Sequence, residues 1–231
     1  MSIKAQSVSK QYPSSVSGIP PVDAVHDISL DINEGSLTVV YGPTGSGKTT
    51  LLSLLAGISK PTSGEIIFGN LHCTETGDRP LSAFRERNIG YVPQRSMLIR
   101  DLSVLENVLS PNAFHACRIK SLKSAAHTLL ERLNLEKKAH RRPDTLSGGE
   151  SRMVMIARAI LTHPEFLFAD EPIAELDKNS ARIVLKLFSA LREEGSAVVI
   201  ASHQPLALGR NTDLYALQGG RITEHSRGGH K

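Results

Sequence analysis

The sequence is poor in cysteine. Its 231 residues include only two, Cys73 and Cys117, which lie far apart and belong to no C-x-x-C pair or Cys/His cluster. A disulfide-stapled fold or a structural zinc site would need a denser pattern of these residues. The scarcity argues against both, and it fits a protein of a reducing compartment.

Long apolar runs are also missing from the sequence. No run approaches the roughly 18–20 residues that a bilayer-spanning helix needs. The first residues, MSIKAQSVSKQY, lack the apolar core of a signal peptide. We therefore expect no membrane-inserted segment, so that any membrane role would act through a partner protein.

The charge balance does not demand an acidic partner. The net charge is +4 and the pI about 9.1, with 40% hydrophobic and 22% charged residues. This composition is ordinary for a globular protein, and the length suits one large core or one domain with an inserted subdomain. A solvated surface explains the mild positive excess, so no nucleic-acid partner is predicted.

Hydrophobic patterns predict an α/β fold. In VDAVHDISLDI, Ile28, Leu30 and Ile32 share one face while Ser29 and Asp31 share the other, which predicts a half-buried strand of an antiparallel sheet. The apolar runs LTVVYG, EFLFAD and SAVVIASH each lead into glycine or polar residues. Helical patterns lie between them, and such strand–helix–strand repeats predict a parallel sheet with right-handed crossovers.

Other segments have simpler interpretations. PSSVSGIPP reads as a surface loop, LYALQGGRITEH as a hairpin that turns at Gly219 and Gly220, and the tail SRGGHK as disordered. The segment between the last two apolar runs predicts an amphipathic helix. Its apolar positions are Val184, Leu187, Phe188 and Leu191.

Residues 96–160 have the pattern of a helical insertion. SVLENV begins a helix with a capping box, and a second helical pattern follows it. We predict a single domain over 1–231, in which 1–95 and 161–231 form the core. The apolar positions of the second helical pattern are Leu122, Ala125, Ala126, Leu129 and Leu133.

One glycine-rich stretch predicts a phosphate site. Gly42 to Thr49 matches G-x-x-x-x-G-K-[ST] between a predicted strand and a predicted helix, where backbone N–H groups and the helix dipole can hold an anion. Lys48 would contact the β- and γ-phosphates, and Thr49 would offer a hydroxyl to Mg²⁺. Eight matched positions in context disfavour the alternative of an incidental glycine-rich turn. The predicted nucleotide contacts are Gly42, Pro43, Thr44, Gly45, Ser46, Gly47, Lys48, Thr49 and Thr50.

Acidic and imidazole side chains follow two further predicted strands. Asp170 and Glu171 end FLFADE, and His203 ends VVIASH. Ligands of open parallel sheets gather at the carboxyl ends of the strands. Asp170 suits a magnesium shell, Glu171 could polarise a water for attack on the γ-phosphate, and His203 could hold that water. Taken alone, each also fits a solvated residue after a core strand.

LSGGE predicts a second anion site. Ser147 can cap a helix whose first residues, Gly148 and Gly149, leave their N–H groups exposed. The alternative is an ordinary helix cap after a loop. The buried face of this helix is predicted to hold Met153, Ile156, Ala157 and Ile160.

Taken in order, GPTGSGKTT, YVPQ, LSGGE, FLFADEP, ELD and ASHQ resemble the ATPase subunit of ABC transporters over nearly the whole chain. The resemblance implies a P-loop NTPase core with a mixed sheet, an antiparallel β subdomain and an inserted α-helical subdomain. It also implies ATP hydrolysis with ATP and Mg²⁺ as cofactors. The Ser/Pro-rich loop after Tyr12 and the compact length look like the group of lipoprotein-releasing, macrolide-efflux and cell-division ATPases.

The resemblance further implies a dimer. In ABC ATPases, ATP on the glycine loop of one domain is covered by LSGG of the other, so this chain needs a second copy, bound head to tail. Tyr12 resembles the adenine-stacking aromatic residue, Gln94 the glutamine that senses Mg²⁺ and the attacking water, and Asp177 the dimer-contact aspartate. A strand-end tyrosine and a helix N-cap are the alternatives for Tyr12 and Asp177. The implied catalytic set is Glu171, His203, Gln94 and Lys48, and the implied metal set is Thr49, Gln94 and Asp170.

The implied partner is an integral membrane permease subunit, which would place the chain on the cytoplasmic face of the cell membrane. Met97, Leu98 and Ile99, beside Gln94, would line a groove for a cytoplasmic helix of that subunit or else pack inside the helical insertion. Two other functions stay open here. One is an ATPase that drives a mechanically signalling membrane protein, and the other is a nucleic-acid- or ribosome-associated ATPase.

Some positions depart from the usual family pattern. Glutamines followed by arginine commonly come after LSGG, and threonine with a small or amide residue is frequent in the segment after the acidic pair. The catalytic positions are unaffected. The departing residues are Glu150, Ser151, Arg152, Met153, Ile173 and Glu175.

Overall fold

Two β-sheets organise the part of the chain that the computed structural model describes, namely residues 1–13, 20–112, 116–206, 208–209 and 211–228. The strands are β1 (Ser2–Tyr12), β2 (Val22–Asn33), β3 (Leu37–Tyr41), β4 (Ser63–Phe68), β5 (Leu71–His72), β6 (Ile89–Val92), β7 (Phe166–Asp170), β8 (Ala197–Ser202), β9 (Thr212–Gln218) and β10 (Arg221–Gly228). The α-helices are α1 (Lys48–Leu55), α2 (Asp78–Asn88), α3 (Val104–Leu109), α4 (Ala116–Arg132), α5 (Gly148–Ile160) and α6 (Lys178–Glu193).

The first sheet is antiparallel and has the strand order β2-β1-β4-β5. In β2, the side chains of Ile28, Leu30 and Ile32 are buried while Ser29 and Asp31 are exposed. Because the side-chain period of a strand is two, this alternation puts one face on the core and the other in solvent. The predicted strand and its antiparallel setting are confirmed.

The second sheet is mixed and has the order β10-β9-β3-β8-β7-β6. All neighbours from β9 to β6 run parallel, and only β10 pairs antiparallel. Tyr41 at the end of β3 lies opposite Ser202 of β8, and Asp170 of β7 lies opposite Ala201. The segments that follow β3, β7 and β8 therefore start at one edge of the sheet.

Helices cover both faces of the mixed sheet. Helix α1 lies between the two sheets and has Leu51, Leu52, Leu54 and Leu55 fully buried, since both of its sides meet apolar strands. Helix α6 covers the opposite face, where Val184, Phe188 and Leu191 of its predicted apolar stripe are buried and Leu187 is partly buried. Each fully buried leucine or phenylalanine contributes about 2 kcal/mol to folding. The predicted α/β fold class is confirmed.

The described residues between 96 and 160 form three α-helices, α3, α4 and α5. The capping box at Ser103 is present, because the Glu106 N–H donates to Ser103 Oγ and the Ser103 N–H donates to Glu106 Oε2. On α4, Ala126 is buried as predicted, whereas Ala125 is exposed, because it lies one position round the helix from the buried stripe. Among the helices described, none is long and apolar enough to cross a membrane.

Helix α5 connects the helical region to the sheet. Met153 and Val154 pack with α3 and α4, whereas Met155 and Ile156 pack with the core of the mixed sheet. The predicted buried face is confirmed, since all four residues named for it are less than 9% exposed.

The C-terminal segment corrects one prediction. The hairpin of β9 and β10 turns at Gly219 and Gly220 as predicted. The tail was predicted to be disordered from Ser226 on, but Ser226 and Arg227 continue β10 opposite Leu214 and Asp213. Pairing along the edge of β9 outweighs the polar composition of these residues. Residues 229–231 of the tail and residues 14–19, most of the Ser/Pro-rich loop, lie outside the described residues.

Candidate functional site

The glycine-rich loop joins β3 to α1 at the strand-end edge of the mixed sheet. Gly45 and Gly47 have φ angles of 77° and 103°, in the left-handed region that favours glycine. A Cβ on Gly47 would lie 2.1 Å from the Ala24 carbonyl oxygen. The loop therefore needs a bare backbone at Gly47, both for its conformation and for its approach to β2.

Lys48 begins α1 directly after this loop. Its side chain is nearly buried, and its Nζ donates to the carbonyl oxygens of Gly42 at 2.8 Å and Pro43 at 2.9 Å. The ammonium thus spans the concave side of the loop. A cation held there, with the N-terminus of α1 beside it, makes the loop a site for an anion.

The β9–β10 hairpin supports the loop from outside. The Gly220 N–H donates to the Ser46 carbonyl at 3.0 Å, and the His26 N–H donates to the Gly220 carbonyl at 2.8 Å. A Cβ on Gly42 would meet the Leu217 carbonyl at 2.1 Å. The turn of the hairpin is thus hydrogen-bonded to the glycine loop through Gly220. No local sequence pattern predicts this contact between distant segments.

Asp170 lies at the end of β7 beneath the loop. The Thr49 hydroxyl donates to Asp170 Oδ2 at 2.6 Å, and the residue is fully buried. Within the described part of the chain, its second oxygen, Oδ1, is buried without a hydrogen-bond partner. Burial raises the pKa of Asp170, while the Thr49 hydrogen bond and the charges of Lys48 and Arg152 oppose the rise.

Glu171 and His203 form a pair at the same edge. Glu171 Oε1 lies 2.7 Å from His203 Nε2, and the Glu171 side chain is 10% exposed. The φ angle of Glu171 is 49°, and its N–H donates to the Ala201 carbonyl at 3.0 Å. A non-glycine residue in the left-handed region is strained, and such strain commonly occurs where a side chain must be aimed.

A cleft of about 220 Å³ contains eight of the eighteen predicted site residues. It brings Gln94 and Glu171 to the glycine loop. The start of β2 forms its other wall, and Tyr12 pairs with Val22 at the rim. Sequence reasoning missed this wall, which depends on how the two sheets pack. The lining residues are Val22, Asp23, Ala24, Thr44, Gly45, Gly47, Lys48, Thr49, Thr50, Gln94 and Glu171.

The LSGGE segment lies in a different cavity. Ser147 caps α5, because its Oγ accepts from the Glu150 N–H at 3.2 Å and its own N–H donates to Glu150 Oε2 at 3.0 Å. Lys138 forms an ion pair with the same carboxylate. The cavity, of about 660 Å³, is lined by residues from α5 and from the segment before α6. They include Ser147, Gly148, Gly149, Glu175, Leu176 and Asp177.

Asp177 also caps a helix. Its Oδ1 accepts from the N–H groups of Asn179 at 2.8 Å and Ser180 at 3.1 Å at the start of α6. The N-cap alternative is therefore confirmed. The predicted residues thus fall into two groups within one chain: the glycine-loop cleft with Asp170, Glu171 and His203, and the cavity at the tip of α5.

Comparisons with known proteins identify the family. The family model described as ABC transporter matches residues 25–174. The lipoprotein-releasing system ATP-binding protein LolD of Chromohalobacter salexigens is 33% identical over 96% of this chain and 93% of its own length. An ATP-binding/permease protein for macrolide export, MacB of Rhodospirillum rubrum, is 36% identical over 89% of this chain, which covers 32% of that longer protein. The predicted relation to these groups is confirmed.

Solved structures agree with the sequence relatives. The dimeric structure of MJ0796, a bacterial ABC transporter cassette, superposes with a TM-score of 0.89 at 31% identity, over 97% of this chain and 98% of that one. A dimeric post-hydrolysis state of MJ0796 bound to ADP and Pi has a TM-score of 0.88 at 29% identity, over the same shares of the two chains. The chain therefore belongs to the ABC transporter family, as an ATP-binding and ATP-hydrolysing subunit.

Proposed function

We propose that two copies of this chain bind ATP and Mg²⁺ between them, head to tail, and hydrolyse ATP to drive an integral membrane subunit. The observation that carries the proposal is the separation of the two anion sites. The glycine-loop cleft and the tip of α5 line different cavities of one chain. Two such chains related by a two-fold axis can bring the cleft of each to the tip of the other.

The cleft fits the triphosphate of ATP. The N–H groups of the glycine loop and of α1 hold the phosphates, and Lys48 exchanges its carbonyl acceptors for phosphate oxygens. Tyr12 is 41% exposed beside the rim residue Val22, and the Lys10 ammonium lies 5.4 Å from the centroid of its ring. This position suits stacking on adenine.

The residues beneath the loop fit Mg²⁺. The Thr49 hydroxyl, the buried Asp170 carboxylate and the Gln94 side chain supply oxygen ligands of the kind that Mg²⁺ prefers. The unpartnered Asp170 Oδ1 is a second sign, since an unsatisfied buried carboxylate oxygen is costly without a cation or donor. When bound, Mg²⁺ would neutralise charge on the β- and γ-phosphate oxygens.

Glu171 and His203 are proposed as the chemical pair. Glu171 accepts a proton from the water that attacks the γ-phosphate, and its backbone strain fixes the carboxylate at the cleft. His203, in contact with Glu171 Oε1, orients that carboxylate and can donate to a γ-phosphate oxygen. The remaining stabilisation of the transition state comes from groups that are already in place, namely the Lys48 ammonium and the N–H donors at the α5 tip of the other copy.

The surface near Gln94 is proposed to contact the membrane subunit. Met97 and Ile99 are 65% and 47% exposed, whereas Leu98 packs inward against the cores of the sheet and of the helical region. The groove interpretation thus suits Met97 and Ile99, and the packing interpretation suits Leu98. Attachment there would place the chain on the cytoplasmic face of the membrane, with residues 96–160 acting as the helical subdomain of the predicted division.

A charge at the α5 tip tests the head-to-tail dimer. In a Glu171→Gln background that preserves bound ATP, we expect Gly149→Asp to raise the dimer dissociation constant at least about a hundredfold, since a carboxylate would face the γ-phosphate of the partner. A Cβ on Gly149 meets only the Leu176 side chain at 3.2 Å and the Glu175 carbonyl oxygen at 3.4 Å, so the fold tolerates it. Sedimentation with MgATP measures the dimer.

Gly77→Asp is the matched control. Gly77 is also at the start of a helix, α2, and a Cβ there would meet no atom within 4 Å. It lines neither of the two cavities, so Gly77→Asp adds the same charge outside the proposed interface. Equal dimer affinity for Gly149→Asp and Gly77→Asp would contradict the proposed arrangement.

A further inference from the structure

A buried arginine on α5 holds the segment that carries Gln94. Arg152 is 5% exposed, and its Nη1 donates to the Pro93 carbonyl at 2.6 Å. Its Nη2 donates to the Gln94 carbonyl. Among the described residues, no carboxylate forms an ion pair with this guanidinium. Its two terminal nitrogens donate instead to two consecutive backbone carbonyls.

The same face of α5 makes two further contacts with this segment. Met155 Sδ accepts from the Met97 N–H at 3.3 Å, and Arg158 Nη1 donates to the Met97 carbonyl at 2.9 Å. Residues three apart on a helix lie in one row, so Arg152, Met155 and Arg158 form a continuous line of attachment. The backbone from Pro93 to Met97 is therefore fastened to α5 at three points.

This attachment connects the two halves of the proposed site within one chain. Gln94 lines the cleft with Lys48 and Glu171, while its carbonyl accepts a hydrogen bond from Arg152 of α5. Arg152 lies five residues after Ser147, which is about 7.5 Å along a helix that rises 1.5 Å per residue. A helix is stiff over this distance, so a displacement of its tip is carried to Arg152.

We infer that Arg152 is a positioning residue for Gln94, which couples the tip of α5 to the nucleotide cleft of the same chain. The inference rests on the proposed function, in which Gln94 faces the nucleotide and the α5 tip contacts the partner's ATP. Arginine suits the task because its planar fork spans two carbonyls, whereas a lysine ammonium is a single point charge. ATP bound by one copy can thereby alter the position of Gln94 in the other.

A double-mutant cycle tests the inference in the full chain. We expect Arg152→Met to lower kcat for ATP hydrolysis about tenfold and to change the ATP dissociation constant less than about twofold, because the glycine loop is untouched. In the Gln94→Ala background, Arg152→Met should add no further loss of kcat, because Arg152 acts through Gln94. Arg192→Met is the matched control, since Arg192 also donates to a backbone carbonyl, that of Gly35, away from the cleft.

Each outcome decides a different point. An unchanged kcat in Arg152→Met, or losses that multiply in the double variant, overturns the coupling while Gln94 keeps its proposed role. An unchanged kcat in Gln94→Ala overturns the role of Gln94 and the coupling together.

If Arg152→Met does not fold, Arg152→Lys is the variant to measure, because it keeps the charge but lacks the planar fork of the guanidinium. The inference then requires that Arg152→Lys lowers kcat in the wild-type background but causes no further loss in the Gln94→Ala background. A wild-type kcat in Arg152→Lys would overturn it.

Discussion

Replacing Glu171 with glutamine is expected to lower kcat for ATP hydrolysis about a thousandfold, within the range that general-base catalysis supplies. The amide keeps the size of the side chain but cannot accept the proton of the attacking water. The glycine loop, Lys48 and Thr49 are unchanged, so ATP should bind with its normal affinity. Steady-state phosphate release and equilibrium nucleotide binding measure the two quantities separately.

The chain offers a matched control for this substitution. Glu194, at the end of α6, also lies beside a histidine, with Oε2 3.1 Å from His163 Nδ1, but both side chains are more than half exposed. Glu194→Gln should leave kcat unchanged, because it removes a similar carboxylate–imidazole contact outside the cleft. Normal hydrolysis by Glu171→Gln would refute the assignment of the base.

Gly47→Ala is expected to lower the free energy of unfolding by about 3 kcal/mol. An alanine with φ near 103° is strained, and its Cβ would lie 2.1 Å from the Ala24 carbonyl oxygen, so that the loop or β2 must shift. Denaturant unfolding without nucleotide measures the change. Because no nucleotide is present, the change in free energy reports on the conformation of the loop alone and not on its contacts with phosphate.

Gly45→Ala separates the two causes. Gly45 has a positive φ of 77°, but a Cβ there would meet no atom within 4 Å. The backbone penalty alone, about 1 kcal/mol, should remain. Equal losses for Gly45→Ala and Gly47→Ala would show that contact with β2 does not determine the shape of the loop.

The sequence predicted those parts of the site that local patterns encode. The glycine loop needs particular residue types at fixed spacing, and Asp170 and Glu171 follow directly after an apolar strand. Because parallel strands bring their carboxyl ends to one edge, the meeting of these residues follows from the order of strands and helices along the chain. The caps formed by Ser147 and Asp177 were likewise evident, since the hydrogen bonds of a helix start are local.

Other parts depend on contacts between distant segments. The Gly220 N–H supports the glycine loop through the Ser46 carbonyl, 174 positions away. Arg152 donates to the Pro93 carbonyl, 59 positions away. The cleft wall at the start of β2 depends on how the two sheets pack. In the sequence, Arg152 appeared only as a departure from the usual family pattern. The tail was misjudged because its polar composition concealed the edge of β9, with which Ser226 pairs.

The central claim is that each catalytic site is shared by two chains, and mixing two inactive variants tests it most directly. Glu171→Gln lacks the base but keeps its α5 tip, whereas Gly149→Asp has a damaged tip but keeps its base. In a mixed head-to-tail dimer, one site combines the intact base of one copy with the intact tip of the other. An equal mixture should regain ATPase activity that neither variant has alone, up to about a quarter of the wild-type value. Each mixed dimer has one intact site, statistical pairing would make half of the dimers mixed, and the weaker dimerisation of Gly149→Asp lowers that share. A mixture as inactive as its two components would contradict the shared site.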